Sequence, residues 1–196
     1  MRDFKLFSNH IAEKIELETA TIIDFYDPEQ GRWHSLRYFF DKKHSSLAIT
    51  GDFGELVAVN FDNMGDWKEF YQDYTNNPGY FIEKVQTSRR SLFAYDCEEA
   101  KKEVLNSFFY QKPYEALDDD EQYYFDELFE YFDGSYGFRH VSDSVREFLS
   151  QEHDEYYVIL EHAGRHISDI VYLYLDAYSK AYEYLTKNEA KSQTEL

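Results

Sequence analysis

Glu16-Leu17-Glu18-Thr19-Ala20-Thr21-Ile22-Ile23-Asp24-Phe25 is the stretch whose reading decides the fold class. It opens with apolar/polar alternation and is rich in β-branched residues, the pattern of a half-buried strand. Asp27-Pro28-Glu29-Gln30-Gly31 follows as a turn, because Pro presets φ and Gly accepts positive φ. Trp33 to Phe40 and Ser46 to Thr50 read as further strands, and Gly51-Asp52-Phe53-Gly54 turns the chain into Glu55 to Phe61. Residues 15–61 therefore predict an antiparallel meander of three or four strands.

Beyond Asp66 the period becomes helical. Trp67, Phe70, Tyr71 and Tyr74 fall at helical spacing, and Asn76-Asn77-Pro78-Gly79 reads as a helix stop. Ser91 to Tyr95 reads as another strand, and Asp96 as the N-cap of a helix to about Phe109. Pro113 interrupts, and an acidic helix is expected from about Asp118 to Phe132. Helical pattern returns over Ser142–Leu149 and from Glu155 through Leu185, with a break near Gly164. The expected class is α+β: an N-terminal antiparallel meander followed by a helical, acidic C-terminal half. The expected division is an α+β domain over 1–111, an acidic helical region packed on it over 112–187, and a frayed tail over 188–196.

Composition narrows the function. The chain has 196 residues, with 20 Lys and Arg against 39 Asp and Glu, a formal net charge of -19. One domain, or one with a helical extension, fits that length. Such a balance argues against direct nucleic-acid binding, which neutralises phosphates with Lys and Arg, and against anionic lipid. Aromatic residues make up 19%, ample for a core and the reverse of a disordered acidic tail. With Cys97 the only cysteine, no intrachain disulfide and no Cys-rich metal site can form. The start of the chain has no apolar leader core, and no long apolar run occurs, so a soluble, cytoplasmic protein is expected.

The charge is uneven. Residues 1–98 hold 17 acids and 11 bases, and residues 99–196 hold 22 and nine. Between Pro113 and Phe138 stand nine acids and no Lys or Arg. On a helix running to Asp133, the side chains of Tyr124, Phe125, Leu128, Phe129, Tyr131 and Phe132 share one side. Asp119, Asp120, Asp126, Glu127, Glu130 and Asp133 fall on an opposed arc of roughly 140°. Six carboxylates over about 21 Å give one charge per roughly 3.5 Å, close to the ~3.4 Å between phosphates along one strand of duplex. A folded ridge of that density can fill a basic channel built for nucleic acid. The candidate partner-binding residues are Asp118, Asp119, Asp120, Asp126, Glu127, Glu130 and Asp133, with Tyr123 among them. The plain alternative is a solvated face that serves solubility.

Other chemistry is weaker. His162, His166 and Asp169, at i, i+4 and i+7, would share a helical face able to hold a transition metal, although Glu161-His162-Ala163-Gly164-Arg165-His166 departs from the HExxH order. Satisfied or exposed histidines are the plainer reading. Cys97 at a helix start reads as a small apolar residue rather than a nucleophile. No GxSxG, phosphate-binding P-loop or GxGxxG occurs, and Gly51-Asp52-Phe53-Gly54 is a turn. The expectation is stoichiometric binding rather than catalysis, with no cofactor and no metal. Tyr172, Tyr174, Tyr178, Tyr182 and Tyr184 spread around the last helix and cannot all face one core. That helix either sits centrally in its own domain or buries a second face in a homodimer or mobile-element assembly.

Leu47-Ala48-Ile49-Thr50-Gly51-Asp52-Phe53-Gly54-Glu55-Leu56-Val57-Ala58-Val59, followed by Trp67 and Asn77-Pro78-Gly79-Tyr80-Phe81, resembles small uncharacterised proteins of phages and mobile elements of Firmicutes. The resemblance covers roughly residues 12–105 and carries no catalytic motif. It implies a counter-defence role of the anti-CRISPR or anti-restriction kind, several families of which are acidic DNA mimics. The partner it implies is a basic nucleic-acid-binding protein such as a Cas9-type nuclease. The acidic helix lies outside the matched stretch.

Overall fold

A computed structural model describes residues 4–194. The fold is α+β and divides into two compact units: residues 4–92 with 168–194, and residues 93–167. The second unit is thus an insertion in the first. The border expected at 111/112 lies inside the inserted unit, and the period change at Asp66 marks helices that belong with the sheet. The expected tail from 188 continues the last helix to Thr194, and only Glu195 and Leu196 of it lie outside the described residues.

The first unit is built on a six-stranded sheet of β1 (Ile11–Glu16), β2 (Ala20–Asp27), β3 (Gly31–Asp41), β4 (Ser46–Gly51), β5 (Leu56–Val59) and β6 (Val85–Ser88). The strands lie in chain order, and every neighbouring pair is antiparallel. The sheet is larger than the expected three or four strands for two reasons. The stretch Glu16–Phe25 is not one strand: Leu17 N–H donates to Ala20 O at 2.8 Å, closing a hairpin between β1 and β2. Glu18 and Thr19 at its tip carry no Gly, Pro or Asn to announce it. β6 is four residues with no alternation to betray it.

Alternation sets the two faces. Ile23, Phe25, Leu36, Tyr38, Phe40, Leu47, Ile49, Leu56 and Ala58 are buried on one face. Three helices pack within this unit: α1 (Trp67–Tyr74), α2 (Pro78–Glu83) and α7 (Asp169–Thr194). α2 starts where a stop was expected. Asn77 caps it by accepting from Tyr80 N–H at 3.2 Å, and Pro78 occupies the first turn, where a missing N–H costs nothing. α7 is the central helix. Tyr174 and Tyr178 are fully buried; Tyr38 Oη donates to Tyr174 O at 2.8 Å. The Tyr178 ring meets those of Tyr38, Phe40 and Phe70 at 4.8–5.6 Å between centroids. Tyr182 stacks on Tyr71 at 3.9 Å. These tyrosines are the unit's own core, which leaves Tyr184 as the exposed one of the five.

The inserted unit is closed at its ends by β7 (Phe93–Tyr95) pairing antiparallel with β10 (Arg165–Ile167). Between them lie α3 (Cys97–Phe108), α4 (Asp119–Phe129), β8 (Phe132–Asp133), β9 (Gly137–Phe138), α5 (Asp143–Glu152) and α6 (Tyr156–His162). Their apolar stripes meet in one core that includes Val104, Phe108, Phe109, Phe125, Leu128, Val145, Leu149 and Leu160. Gly164 has φ +70°, and a Cβ there would lie 2.3 Å from Asp96 O, so only glycine fits. Among the described residues no helix is long and apolar enough to cross a membrane.

Candidate functional site

The acid excess is concentrated in the insertion. Residues 93–167 hold 19 Asp and Glu against six Lys and Arg, net -13, while the larger first unit is -6. α4 carries the densest part. Its start is a capping box: Asp118 accepts from Glu121 N–H at 2.9 Å, and Glu121 accepts from Asp118 N–H at 3.0 Å. Asp119, Asp120 and Glu121 then fill the first turn, where carboxylates meet the positive end of the helix dipole. Glu121 also pairs with Lys112 at 2.6 Å. The apolar stripe docks the helix as expected, with Phe125 and Leu128 buried and Tyr124 stacked on Phe148 at 4.6 Å.

The helix is shorter than the sequence suggests. It ends at Phe129 with Glu130 as C-cap. Phe132–Asp133 then pairs with Gly137–Phe138 in a tight hairpin. Gly137 has φ +71° and sits under the Tyr95 ring, where a Cβ would come within 2.9 Å. That hairpin removes Tyr131, Phe132 and Asp133 from the helical wheel. The Asp133 carboxylate instead accepts from Ser135 N–H at 2.7 Å and pairs with Arg139 at 3.1 Å.

Five carboxylates remain on the ridge: Asp119, Asp120, Asp126, Glu127 and Glu130. At 100° per residue they span about 120°, with Tyr123 at the centre of the arc. Tyr123 is 56% exposed. Asp119, Asp120, Asp126 and Glu130 are exposed and Glu127 is half-buried. Two of the five are held in place, since Tyr114 Oη donates to Asp126 at 2.9 Å and Ser144 Oγ to Glu127 at 3.1 Å. Hydrogen bonds, foremost from Ser142 and then from Tyr123 and Ser144, pull the Glu127 carboxyl below its ordinary value. The same bond to Glu127 raises the Tyr123 hydroxyl. Glu127 is thus a fixed charge rather than a proton carrier.

The bases of the unit are occupied locally. Arg139 and Arg146 pair with Asp133 and Asp143 and line a cavity of about 400 Å³ with Tyr95, Tyr136, His140 and Glu161. Arg139 also lies 4.5 Å from the Tyr136 ring centre. This aromatic cavity was missed from sequence, because Tyr95 of β7, Tyr136 of the β8–β9 turn and the Tyr156-Tyr157 pair of α6 lie far apart in the chain and share no spacing.

The helical face expected for His162, His166 and Asp169 does not form. His162 ends α6, His166 lies in β10, and Asp169 starts α7, because Gly164 breaks the helix. His162 Nδ1 meets Arg165 Nη1 at 3.0 Å, and His166 Nδ1 lies 3.3 Å from Gly164 O. Among the described residues no group of three His, Cys, Asp or Glu is arranged to hold a metal ion. Cys97 is half-buried in the first turn of α3, just after the Asp96 cap.

Fold and site together define an α+β protein with an inserted acidic unit that displays a Tyr-centred carboxylate ridge. Compared with known proteins, the chain matches no family model, no curated protein and no solved structure.

Proposed function

We propose that the protein is a stoichiometric inhibitor whose inserted unit occupies a basic nucleic-acid channel on a partner protein. The observation that carries this reading is the α4 ridge: five carboxylates around exposed Tyr123, without a Lys or Arg on the helix. From Asp119 to Glu130 the ridge runs about 16 Å at 1.5 Å per residue, a length over which one duplex strand carries about five phosphates. Fixing carboxylates on a packed helix lowers the ordering cost of binding, and an exposed tyrosine amid charge supplies an apolar anchor. The partner assigned is a Cas9-type nuclease or a comparable defence nuclease, on the resemblance of residues 12–105 to mobile-element proteins.

The test is a titration of inhibition with Asp119/Asp126/Glu130→Lys. Asp133 is left intact, because it holds Arg139 and the hairpin. The triple variant is expected to keep the wild-type circular dichroism and to inhibit at least about 100-fold more weakly at physiological salt, in line with charge pairs that dominate affinity. Inhibition at wild-type strength would remove the ridge from the account.

A further inference from the structure

The cavity of about 400 Å³ in the inserted unit has a wall that is already fixed. Tyr95 N–H donates to Gly134 O at 2.9 Å, Tyr136 N–H donates to Asp133 O at 3.1 Å, and the Tyr95 ring lies against Gly137. Asp133 also holds Arg139, whose guanidinium sits 4.5 Å from the centre of the Tyr136 ring. α6 adds Tyr157 and Glu161, and α5 adds Arg146. Tyr136 is 64% exposed and Tyr157 58%, so their rings are open to a ligand. Cavities of this size and aromatic character are where small molecules bind.

The polar groups of the wall are largely unspent. The hydroxyls of Tyr95, Tyr136 and Tyr157 and the carboxylate of Glu161 bond to no other described residue. In the first unit, by contrast, Tyr26, Tyr38, Tyr74, Tyr174 and Tyr178 all donate their hydroxyls within the chain. Each arginine uses only part of its five N–H donors. Arg139 meets Asp133 through Nη2, and Arg146 meets Asp143 through Nη1 and Val141 O through Nη2. Asp133 and Asp143 cancel the two positive charges, so what the arginines have left to offer is N–H donors rather than net charge. The ligand that suits this wall is planar and uncharged. It donates to a carboxylate and accepts from an arginine.

We propose that the cavity binds a guanine nucleoside. The base stacks on tyrosine, an interaction open to any π face. Its N1–H and N2–H₂ both donate to Glu161. Its O6 and N7 accept from an arginine, the pairing by which arginine reads guanine in a groove. Adenine lacks both N1–H and O6, so it leaves the carboxylate and the arginine partly unmet. A phosphate would enter the field of a unit at net -13 and is disfavoured. None of these side chains belongs to the α4 ridge, so the site stands apart from the inhibitor reading.

Isothermal titration of the full chain with guanosine is the test. At the efficiency usual for ligands of about twenty non-hydrogen atoms, the dissociation constant is expected at about 10–100 μM. Adenosine should bind at least about tenfold more weakly, because a site built on hydrogen bonds rejects a ligand that cannot make them. Guanosine monophosphate should also bind more weakly than guanosine. Raising salt should leave the guanosine affinity within about twofold, because the ligand carries no charge to screen. Glu161→Gln and Tyr136→Ala, both at exposed positions, should keep the wild-type circular dichroism and each weaken guanosine at least about tenfold. If Tyr136→Ala unfolds the hairpin, Tyr157→Ala is read in its place. No measurable binding of guanosine at about 1 mM overturns the proposal. So does adenosine bound as tightly as guanosine, the monophosphate bound more tightly, an affinity that collapses with salt, or a Glu161→Gln variant at wild-type affinity.

Discussion

Gly164→Ala should damage the inserted unit by an amount that its geometry sets. A non-glycine residue at φ +70° costs about 1 kcal/mol. The new Cβ would also stand 2.3 Å from Asp96 O and 2.9 Å from Ala100 Cβ, so Asp96 must move. Moving it weakens the 2.8 Å bond from Asp96 N–H to Gly164 O, worth about 1 kcal/mol. It also disturbs the Asp96 cap on Glu99 N–H at 2.9 Å, worth about another 1 kcal/mol. The total is about 3 kcal/mol, a large share of the stability of a unit this size. Both tryptophans, Trp33 and Trp67, lie in the first unit, so tryptophan fluorescence reports the sheet unit and far-ultraviolet circular dichroism reports helices of both. In urea, with a slope of about 1.5 kcal/mol/M, the dichroism midpoint should fall by about 2 M, and the fluorescence midpoint by less. If both midpoints stay within about 0.3 M of wild type, the left-handed closure at Gly164 is not what holds the insertion's ends.

Three further outcomes follow from single groups. His10 is buried between the rings of Phe7 and Phe25, with Nε2 3.1 Å from His34 O, and desolvation pushes its pKa below the ordinary 6.5. The unfolded chain therefore takes up this proton first as pH falls, and stability drops from about pH 6.5 down through the folded pKa. His10→Gln should flatten that part of the urea-midpoint profile, and parallel profiles for the two proteins would count against it. Asp176 is buried in α7, paired with Lys180 at 3.1 Å and accepting from Phe4 N–H at 3.3 Å. Asp176→Asn should cost about 2 kcal/mol in urea unfolding, less than a fully buried pair because Lys180 is partly exposed; a change under about 0.5 kcal/mol would mean that the pair is immaterial. Phe125→Ala, in the core that seats α4, should cost about 3 kcal/mol and weaken inhibition through loss of the ridge's support. Unchanged inhibition by a variant so destabilised would separate the ridge from its packing.

Much of the sheet was legible because β-branched alternation at Thr21–Phe25, the Pro28–Gly31 turn and the glycines of 51–54 each carry a local mechanism. The helix starts at Asp66, Asp96, Asp118 and Ser142 were equally readable, since each is a capping residue that accepts from a first-turn N–H. What escaped lacks such a signal. The β1–β2 hairpin turns on Glu18-Thr19, and only the pairing of Ile11–Glu16 back onto Thr21–Tyr26 makes β1 and β2 separate strands. The end of α4 is set by the β8–β9 hairpin, whose Gly137 sits under the ring of distant Tyr95; the break at Gly164 was readable from the glycine itself, but not the close approach of Asp96 that demands it. Those same two glycines dismantled the 21 Å ridge and the histidine face, so the site was legible in composition and in its first three turns but not in its extent. The insertion itself was hidden, because its ends meet through β7 and β10, seventy residues apart in sequence. Only the three-dimensional pairing joins them.

The most direct test is a gel-shift competition at physiological salt, with a guide-loaded Cas9-type nuclease, its target DNA and increasing amounts of this protein. The account predicts that the shifted band is lost near equimolar protein. The loss should ease steeply as salt is raised, because the contact replaces phosphate charge. A band that persists at a large molar excess of this protein, with cleavage also intact, would contradict it.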